Sequence, residues 1–252
     1  EINIRMDKHI FIVRHGQTDN NAKQIRYDNH TEVDDVPLNK MGLEQAYKSG
    51  EYLKQFGKFD IVISSPRLRC LQTAEQICDA VGYNKNNIIT NDLLLEGKAG
   101  VFNNMNFDKL EKILNSDKDL NKIDEQYNKL DPINKALIRK SVSDKLWKIR
   151  NKKYKESKKS EIEINYEKFI EKLIKMKQNK ILIIGHSFTL TGLIGIACGI
   201  DTSMVPKSQD VDEYGNCRIV YLQYSKTSPK TGITKKPQFY LMTRPNNEHL
   251  KK

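Results

Sequence analysis

The sequence lacks the features of membrane-spanning, secreted and zinc-binding proteins. No apolar run approaches the roughly 20 residues that a membrane-spanning helix needs, and no secretory signal is visible. The four cysteines are scattered without a Cys-x-x-Cys pair, and none of the five histidines stands at metal-ligand spacing from another. We therefore expect a cytoplasmic protein with no membrane span, no bound metal and no cofactor.

Charge is the most uneven property of the chain. Its 252 residues can bury a large core, and we expect one domain over residues 8–252. Of the net charge of +11, +9 comes from the stretch between Lys135 and Lys159, which has eleven basic residues and two acidic ones. Because apolar residues are sparse there, we expect a Lys-rich, largely helical insertion at about residues 103–160, with residues 151–160 disordered.

A basic segment of this kind suggests a nucleic acid, an anionic membrane surface or an acidic substrate as partner. Its aromatic residues are Trp147 and Tyr154, too few for the interleaving that base stacking uses. Nucleic acid is therefore the less favoured partner. A catalytically idle binding protein that uses this segment is the weaker alternative for the whole chain.

The spacing of apolar residues predicts alternating strands and helices. Short apolar runs at residues 9–13, 60–63 and 180–184 are typical of buried strands, and helical spacing recurs over residues 41–56, 68–81 and 164–176. A helix that is apolar nearly all round is expected at residues 190–200. This alternation predicts a three-layer α/β/α sandwich with a mainly parallel sheet, to which strands at 217–224 and 237–242 add an antiparallel edge.

Polar side chains fall at four positions at the C-terminal ends of predicted strands or just beyond them. Arg14 and His15 end the first strand, His186 ends a later one, Arg69 begins a helix after the second strand, and Glu96 precedes a glycine-containing turn. Parallel strands place such residues at one edge, where open α/β sheets bind ligands. Histidine can attack phosphorus, arginine can hold phosphate oxygens and a carboxylic acid can protonate the leaving oxygen. The set suits a metal-free reaction on a phosphate monoester.

Four ordered blocks of this sequence resemble the histidine phosphatase superfamily, branch 1, the phosphoglycerate-mutase-like group. They are Arg14-His15-Gly16-Gln17-Thr18 with Asn21, residues 37–46, residues 64–74, and Gly185-His186-Ser187. The resemblance implies a phosphoglycerate-mutase-like fold. It also implies that His15 becomes phosphohistidine and that Glu96 is the proton donor.

By the same resemblance, His186 is the third catalytic residue beside His15 and Glu96, and it also binds the phosphoryl group. The other groups that bind the phosphoryl group are Arg14, Asn21, Arg69 and the backbone N–H of Ser187. Arg69, and not Arg67, aligns with the pocket arginine of the family. We therefore interpret Arg67 as a surface residue of the first helical turn.

The turn after Glu96 separates two activities of this family. Mutases carry an arginine next to the acid and further basic residues for a substrate carboxylate, whereas this chain has Gly97-Lys98-Ala99-Gly100-Val101-Phe102. We therefore favour a phosphatase, with phosphoglycerate mutase as the alternative because Lys98 could serve a carboxylate. The expected substrate is a phosphorylated small molecule or phosphoprotein, and a homodimer is an assembly to consider.

Overall fold

The computed structural model describes residues 7–26, 35–200, 215–229, 231 and 234–250. The strands are β1 Lys8–Arg14, β2 Ile25–Arg26, β3 Ile61–Ser64, β4 Ile89–Thr90, β5 Met105–Asn106, β6 Lys180–Gly185, β7 Ile219–Thr227 and β8 Thr234–Asn246. The helices are α1 Asp19–Ala22, α2 Lys40–Leu53, α3 Leu68–Val81, α4 Phe107–Ser116, α5 Lys118–Asn128, α6 Pro132–Tyr154, α7 Lys159–Lys175 and α8 Ser187–Cys198.

Six strands form the central sheet in the order β4-β3-β6-β1-β7-β8. The pairs from β4 to β1 are parallel, and β7 pairs antiparallel with both β1 and β8. The prediction of a mainly parallel sheet with an antiparallel edge is confirmed. The two short strands β2 and β5 form a separate antiparallel pair.

Side chains alternate between the two faces of the sheet and build two cores. On one face Ile10, Ile12 and Ile183 pack with apolar residues of α7 and α8. On the other face Phe11 and Val13 pack with apolar residues of α2 and α3. Because strand side chains point alternately to opposite faces, near-continuous apolar runs are what a sheet covered on both sides requires. The three-layer sandwich is therefore as predicted.

Local capping defines the two helices that border the sheet edge. The Asn39 side chain caps α2 by accepting a hydrogen bond from Gly42 N–H at 2.9 Å. Helix α3 ends at Gly82, whose left-handed φ of 71° suits glycine. Pro66 lies before the N-cap residue Arg67, so this proline is outside α3 and not in its first turn.

The basic part of the chain is helical but lies outside the main core. Helix α6 has eight basic residues, one acidic residue and no buried residue. The expectation of disorder at residues 151–160 is wrong, since α6 extends to Tyr154 and α7 begins at Lys159. The reason is Glu156, which is 1% exposed and pairs with Arg26 and Arg150. Over the residues described, no helix combines the length and apolar character needed to cross a membrane.

Candidate active site

The parallel pairing of β1 with β6 sets the two histidines side by side. Arg14 is opposite Gly185, and His15 N–H donates to the Gly185 carbonyl at 2.9 Å. The next residue, His186, therefore lies beside His15, with ring centroids 5.5 Å apart at 66°. Strand β3 joins them because Ser65 N–H donates to the Ile184 carbonyl at 2.9 Å.

His15 is held as a neutral ring with a defined tautomer. Its Nδ1 lies 2.8 Å from the Gly16 carbonyl oxygen, which can only accept, so Nδ1 carries the proton. The Nε2 atom is then left with the lone pair. Burial, followed by the charges of Arg69 and Arg14, holds the pKa of His15 well below its ordinary value. His15 is thus available as an unprotonated nitrogen nucleophile.

His186 is fully buried and bonded on both ring nitrogens. An Arg69 Nη2 group donates to its Nδ1 at 3.2 Å, so Nε2 carries the proton and donates to Ser65 Oγ at 2.9 Å. Burial, and then the charge of Arg69, holds the pKa of His186 well below its ordinary value. Cys70 Sγ packs 3.6 Å from Nε2, and burial raises the pKa of this thiol to about 12.

Arg69 and Glu96 lie against His186. Arg69 is 0% exposed, and Glu96 Oε2 is 4.0 Å from its Nη2 and 3.7 Å from His186 Nδ1. The other carboxylate oxygen of Glu96 accepts from Phe188 N–H at 3.5 Å. One cation, one carboxylate and the two imidazoles are therefore within a few ångströms of each other.

Three further predicted residues surround this group. Arg14 ends β1, and its charge contributes to the lowered pKa of both His15 and His186. Asn21 Oδ1 accepts from Thr18 N–H and Oγ1–H at 3.1 and 3.0 Å, so its amide NH₂ is the group it can offer an anion. Ser187 is the first residue of α8, where backbone N–H groups have no partner within the helix. The structure therefore brings all seven sequence-predicted residues to one sheet edge.

Polar residues of the matching blocks hold the loop after β1 in place. Gly16 N–H donates to Thr73 Oγ1 at 3.0 Å, and that hydroxyl donates to the Arg69 carbonyl at 2.7 Å. Gln17 N–H donates to Gln45 Oε1 at 3.0 Å. A Cβ on Gly16 would clash with the Gly42 carbonyl, so this glycine is required by packing of the loop on α2.

The turn that carries Glu96 rests on the connection between α6 and α7. Lys98 N–H donates to Ser157 Oγ at 2.6 Å, and Ser157 N–H donates to the Lys98 carbonyl at 3.2 Å. Phe102 is 0% exposed and packs on the Tyr154 ring at 4.7 Å between centroids. The basic helical segment thus supports the turn that presents the carboxylate.

Sequence reasoning missed three polar residues of this site. Ser65 orients His186, and the sequence could have indicated this residue because it lies in the block of residues 64–74. Asp35 accepts from Leu68 N–H at 2.7 Å and lies 3.7 Å from Arg69 Nη1. Asn216 Nδ2 donates to the His15 carbonyl at 3.1 Å and to Asn21 Oδ1 at 3.2 Å. No local pattern marks Asp35 or Asn216, since each reaches the site through tertiary folding.

Arg67, interpreted from the sequence as a first-turn surface residue, lies one position before the first turn of α3. Arg67 is the N-cap residue of α3, it is half-buried, and its charge is one of those that lower the pKa of His186. Within the described part of the chain, no three His, Cys, Asp or Glu side chains are grouped as metal ligands would be.

A protein family model matches the N-terminal part of the chain. Residues 10–130 match the model of the histidine phosphatase superfamily (branch 1). A 2,3-bisphosphoglycerate-dependent phosphoglycerate mutase of Rhizobium meliloti is 34% identical over 100 residues, which are 39% of this chain and 46% of that protein. A broad-specificity phosphatase of Saccharomyces cerevisiae is 46% identical over 65 residues, 25% of this chain and 26% of that protein. The chain thus spans less than half the length of either relative.

The fold matches solved structures over a much longer stretch. A phosphoglycerate mutase from Bacillus anthracis str. Sterne superposes with a TM-score of 0.70 at 18% identity, covering 97% of this chain and 96% of that one. At this identity the match is informative about the fold alone. The phosphoglycerate-mutase-like fold implied by the sequence blocks is therefore confirmed.

Proposed function

We propose, from the premise that residues 10–130 of this chain belong to branch 1 of the histidine phosphatase superfamily, that the protein is a metal-independent phosphomonoester hydrolase. The observation that carries the proposal is the state of His15. Its Nδ1 is committed to the Gly16 carbonyl, its Nε2 holds the lone pair, and the charges of Arg69 and Arg14 act on the ring beside His186. A nucleophilic nitrogen in a buried, cationic pocket suits attack on a phosphate dianion.

In the first step, His15 Nε2 attacks phosphorus and the bond from phosphorus to the ester oxygen breaks. Glu96 gives a proton to that oxygen as it leaves as an alcohol. Arg14, Arg69, the Asn21 amide and the Ser187 N–H bind the other phosphoryl oxygens and stabilise the charge that develops on them. The product of this step is a phosphohistidine at His15.

In the second step, water attacks the phosphohistidine. Glu96, now a carboxylate, takes a proton from that water, the phosphorus–nitrogen bond breaks, and inorganic phosphate leaves. His186 lies between Arg69 and Ser65, so it keeps the guanidinium in place in both steps. Each group returns to its starting protonation state.

Hydrolysis is favoured over phosphoryl return by the turn after Glu96. Lys98 is the single basic side chain among residues 97–102, and its backbone is bonded to Ser157. A mutase must also bind a substrate carboxylate and retain its phosphorylated state. This turn offers one exposed cation for that purpose.

A panel of phosphomonoesters assayed for phosphate release tests the proposal. The panel should include sugar phosphates, phosphoglycerates, nucleotides and phosphoamino acids, with the His15→Ala protein as blank. We expect release from at least one class and a loss of roughly 10⁴-fold or more in the blank. Release undiminished in the His15→Ala protein would refute the proposal.

Phosphoglycerate mutase is the second candidate, supported by the mutase among the sequence relatives. The same protein should be given 3-phosphoglycerate with a trace of 2,3-bisphosphoglycerate. Under the phosphatase proposal, phosphate release exceeds formation of 2-phosphoglycerate. Interconversion that greatly exceeds release would establish the mutase instead.

A further inference from the structure

An aromatic pair borders the carboxylate end of the site. Trp147 of α6 and Phe188 of α8 meet edge to face, with ring centroids 5.7 Å apart at 70°. Phe188 is also the residue whose N–H lies 3.5 Å from Glu96 Oε1. Phe188 keeps 36% of its surface exposed and Trp147 is half-buried, so the pair presents apolar surface at the rim of the site.

The direction of the reaction brings the leaving group to this rim. In an in-line displacement the nucleophile and the leaving oxygen lie on opposite sides of phosphorus. With His15 Nε2 on one side, the leaving oxygen lies toward Glu96, its proton donor under the proposed function. The group attached to that oxygen then extends past Phe188 and Trp147.

Basic side chains continue outward from the same helix. A shallow, open groove of about 490 Å³ on the surface of α6 is lined by residues of that helix alone, namely Leu137, Lys140, Ser141, Asp144, Lys145 and Lys148. Lys148 directly follows Trp147, so one end of the groove lies on the helical turn that carries Trp147, about 100° around the helix from its side chain. Lysine charges with one carboxylate among them favour an anionic occupant.

We propose that the preferred substrate is a phosphate ester of an aromatic alcohol, and specifically a phosphotyrosine within an acidic polypeptide segment. The ring would pack against Trp147 and Phe188, as aromatic pairs do. The acidic residues beside it would lie along the lysine groove of α6. This inference rests on the proposed hydrolase function and adds its substrate class.

Benzyl phosphate and ethyl phosphate test the aromatic part, because their alcohols have similar acidity and differ in the ring. We expect the wild-type protein to have a higher kcat/KM for benzyl phosphate than for ethyl phosphate. Trp147→Ala should lower kcat/KM for benzyl phosphate about tenfold and should change kcat/KM for ethyl phosphate by no more than about twofold. Trp147→Phe should retain the preference. Ile133→Ala, at a position 73% exposed on the same helix, is the matched control and should change neither ester.

The outcomes separate this inference from the proposed function. An equal loss on both esters in Trp147→Ala, or no loss on either, would overturn the aromatic inference. Hydrolysis of other monoesters without benzyl phosphate would also overturn it and leave the hydrolase function standing. If release from every ester persists in His15→Ala, the proposed function itself fails.

Two phosphotyrosyl peptides, one with acidic and one with basic flanking residues, test the polypeptide part. We expect the acidic peptide to have the higher kcat/KM. Lys148→Glu should reduce kcat/KM for this peptide about fivefold and leave kcat/KM for benzyl phosphate unchanged. Lys112→Glu, an exposed lysine on α4, is the matched control. Equal use of both peptides, or the same loss in both lysine variants, would overturn the acidic-polypeptide part of the inference and leave the aromatic part standing.

Discussion

The sheet edge and helix α6 differ in how their polar residues are used. At the sheet edge Arg69 and His186 are fully buried, and each bonds to other parts of the site. In α6 no residue is buried, and apolar side chains such as Leu137 are 74% exposed. Many simultaneous contacts fix the geometry of the sheet edge, whereas the side chains of α6 are open to solvent and to a binding partner.

This difference separates chemistry from selectivity. A buried network with defined tautomers leaves little freedom for substitution, because each lost partner strands a buried polar group. A solvated helix can change its side chains at little cost in stability. We therefore expect changes at the sheet edge to affect the reaction or the fold, and changes on α6 to affect the choice of substrate.

After His15→Ala, the largest expected effect comes from Glu96→Gln, which keeps the shape of the side chain and removes the proton. Turnover of alkyl phosphates should fall about 10³-fold, since general acid catalysis contributes roughly 10² to 10⁴. Esters with good leaving groups, such as p-nitrophenyl phosphate, should lose far less. Steady-state kinetics on both esters measure this, and equal losses would argue against Glu96 as the acid.

The contrast in burial predicts a contrast in stability. Ile183→Ala, at a position 0% exposed in β6, should lower the free energy of unfolding by about 2 to 5 kcal/mol. Leu137→Ala on α6 should change it by no more than about 0.5 kcal/mol. Urea denaturation of both variants checks the pair. A large loss in Leu137→Ala would mean that the Leu137 side chain is packed against the rest of the molecule.

Substitution of the two arginines at the N-terminus of α3 should affect kcat/KM to different extents. Arg69→Lys removes the planar fork that reaches His186, so kcat/KM should fall about 10²-fold. Arg67→Lys keeps a charge at the N-cap of α3, and kcat/KM should stay within about threefold. The kinetics of the two variants decide the matter, and similar losses would show that Arg67 also binds the phosphoryl group directly.

Acid should weaken the sheet edge through its buried histidines. The pKa values of His15 and His186 are lowered by burial, so the folded protein keeps both neutral when the unfolded chain, with an ordinary pKa near 6.5, takes up protons. The free energy of unfolding therefore falls as pH drops below about 6.5, by at most about 1.4 kcal/mol per pH unit for each histidine. Denaturation measured between pH 7.5 and 5 should show that the free energy of unfolding depends less steeply on pH in His186→Asn than in the wild type. The same pH dependence in both proteins would contradict this.

Much of the architecture could be read from local sequence patterns. The strands that carry Ile10, Ile63 and Ile183 are apolar runs of the right length, and the two histidines follow two of them. The register that pairs Arg14 with Gly185 then brings the histidines together. The apolar pattern of each strand was sufficient for this part because it is encoded within a few neighbouring residues, and the alternation of strands and helices along the chain favours parallel order.

Tertiary contacts explain what the patterns did not show. Asp35 and Asn216 reach the site from loops, and Glu156 orders the α6–α7 connection through Arg26, which is distant in sequence. Trp147 meets Phe188 only because α6 folds back over the sheet edge. The single-domain division, the insertion boundaries at about 103–160, the cytoplasmic location and the homodimer stay predictions.

The most direct test of the account is the detection of the phosphoryl group on His15. A rapid quench of enzyme with p-nitrophenyl phosphate, followed by peptide mapping under alkaline conditions, should locate one acid-labile phosphoryl group at His15. Glu96→Gln should form this adduct from the same ester, and His15→Ala should not. A phosphoryl group on another residue, or full turnover in His15→Ala, would contradict the central claim that His15 is the nucleophile.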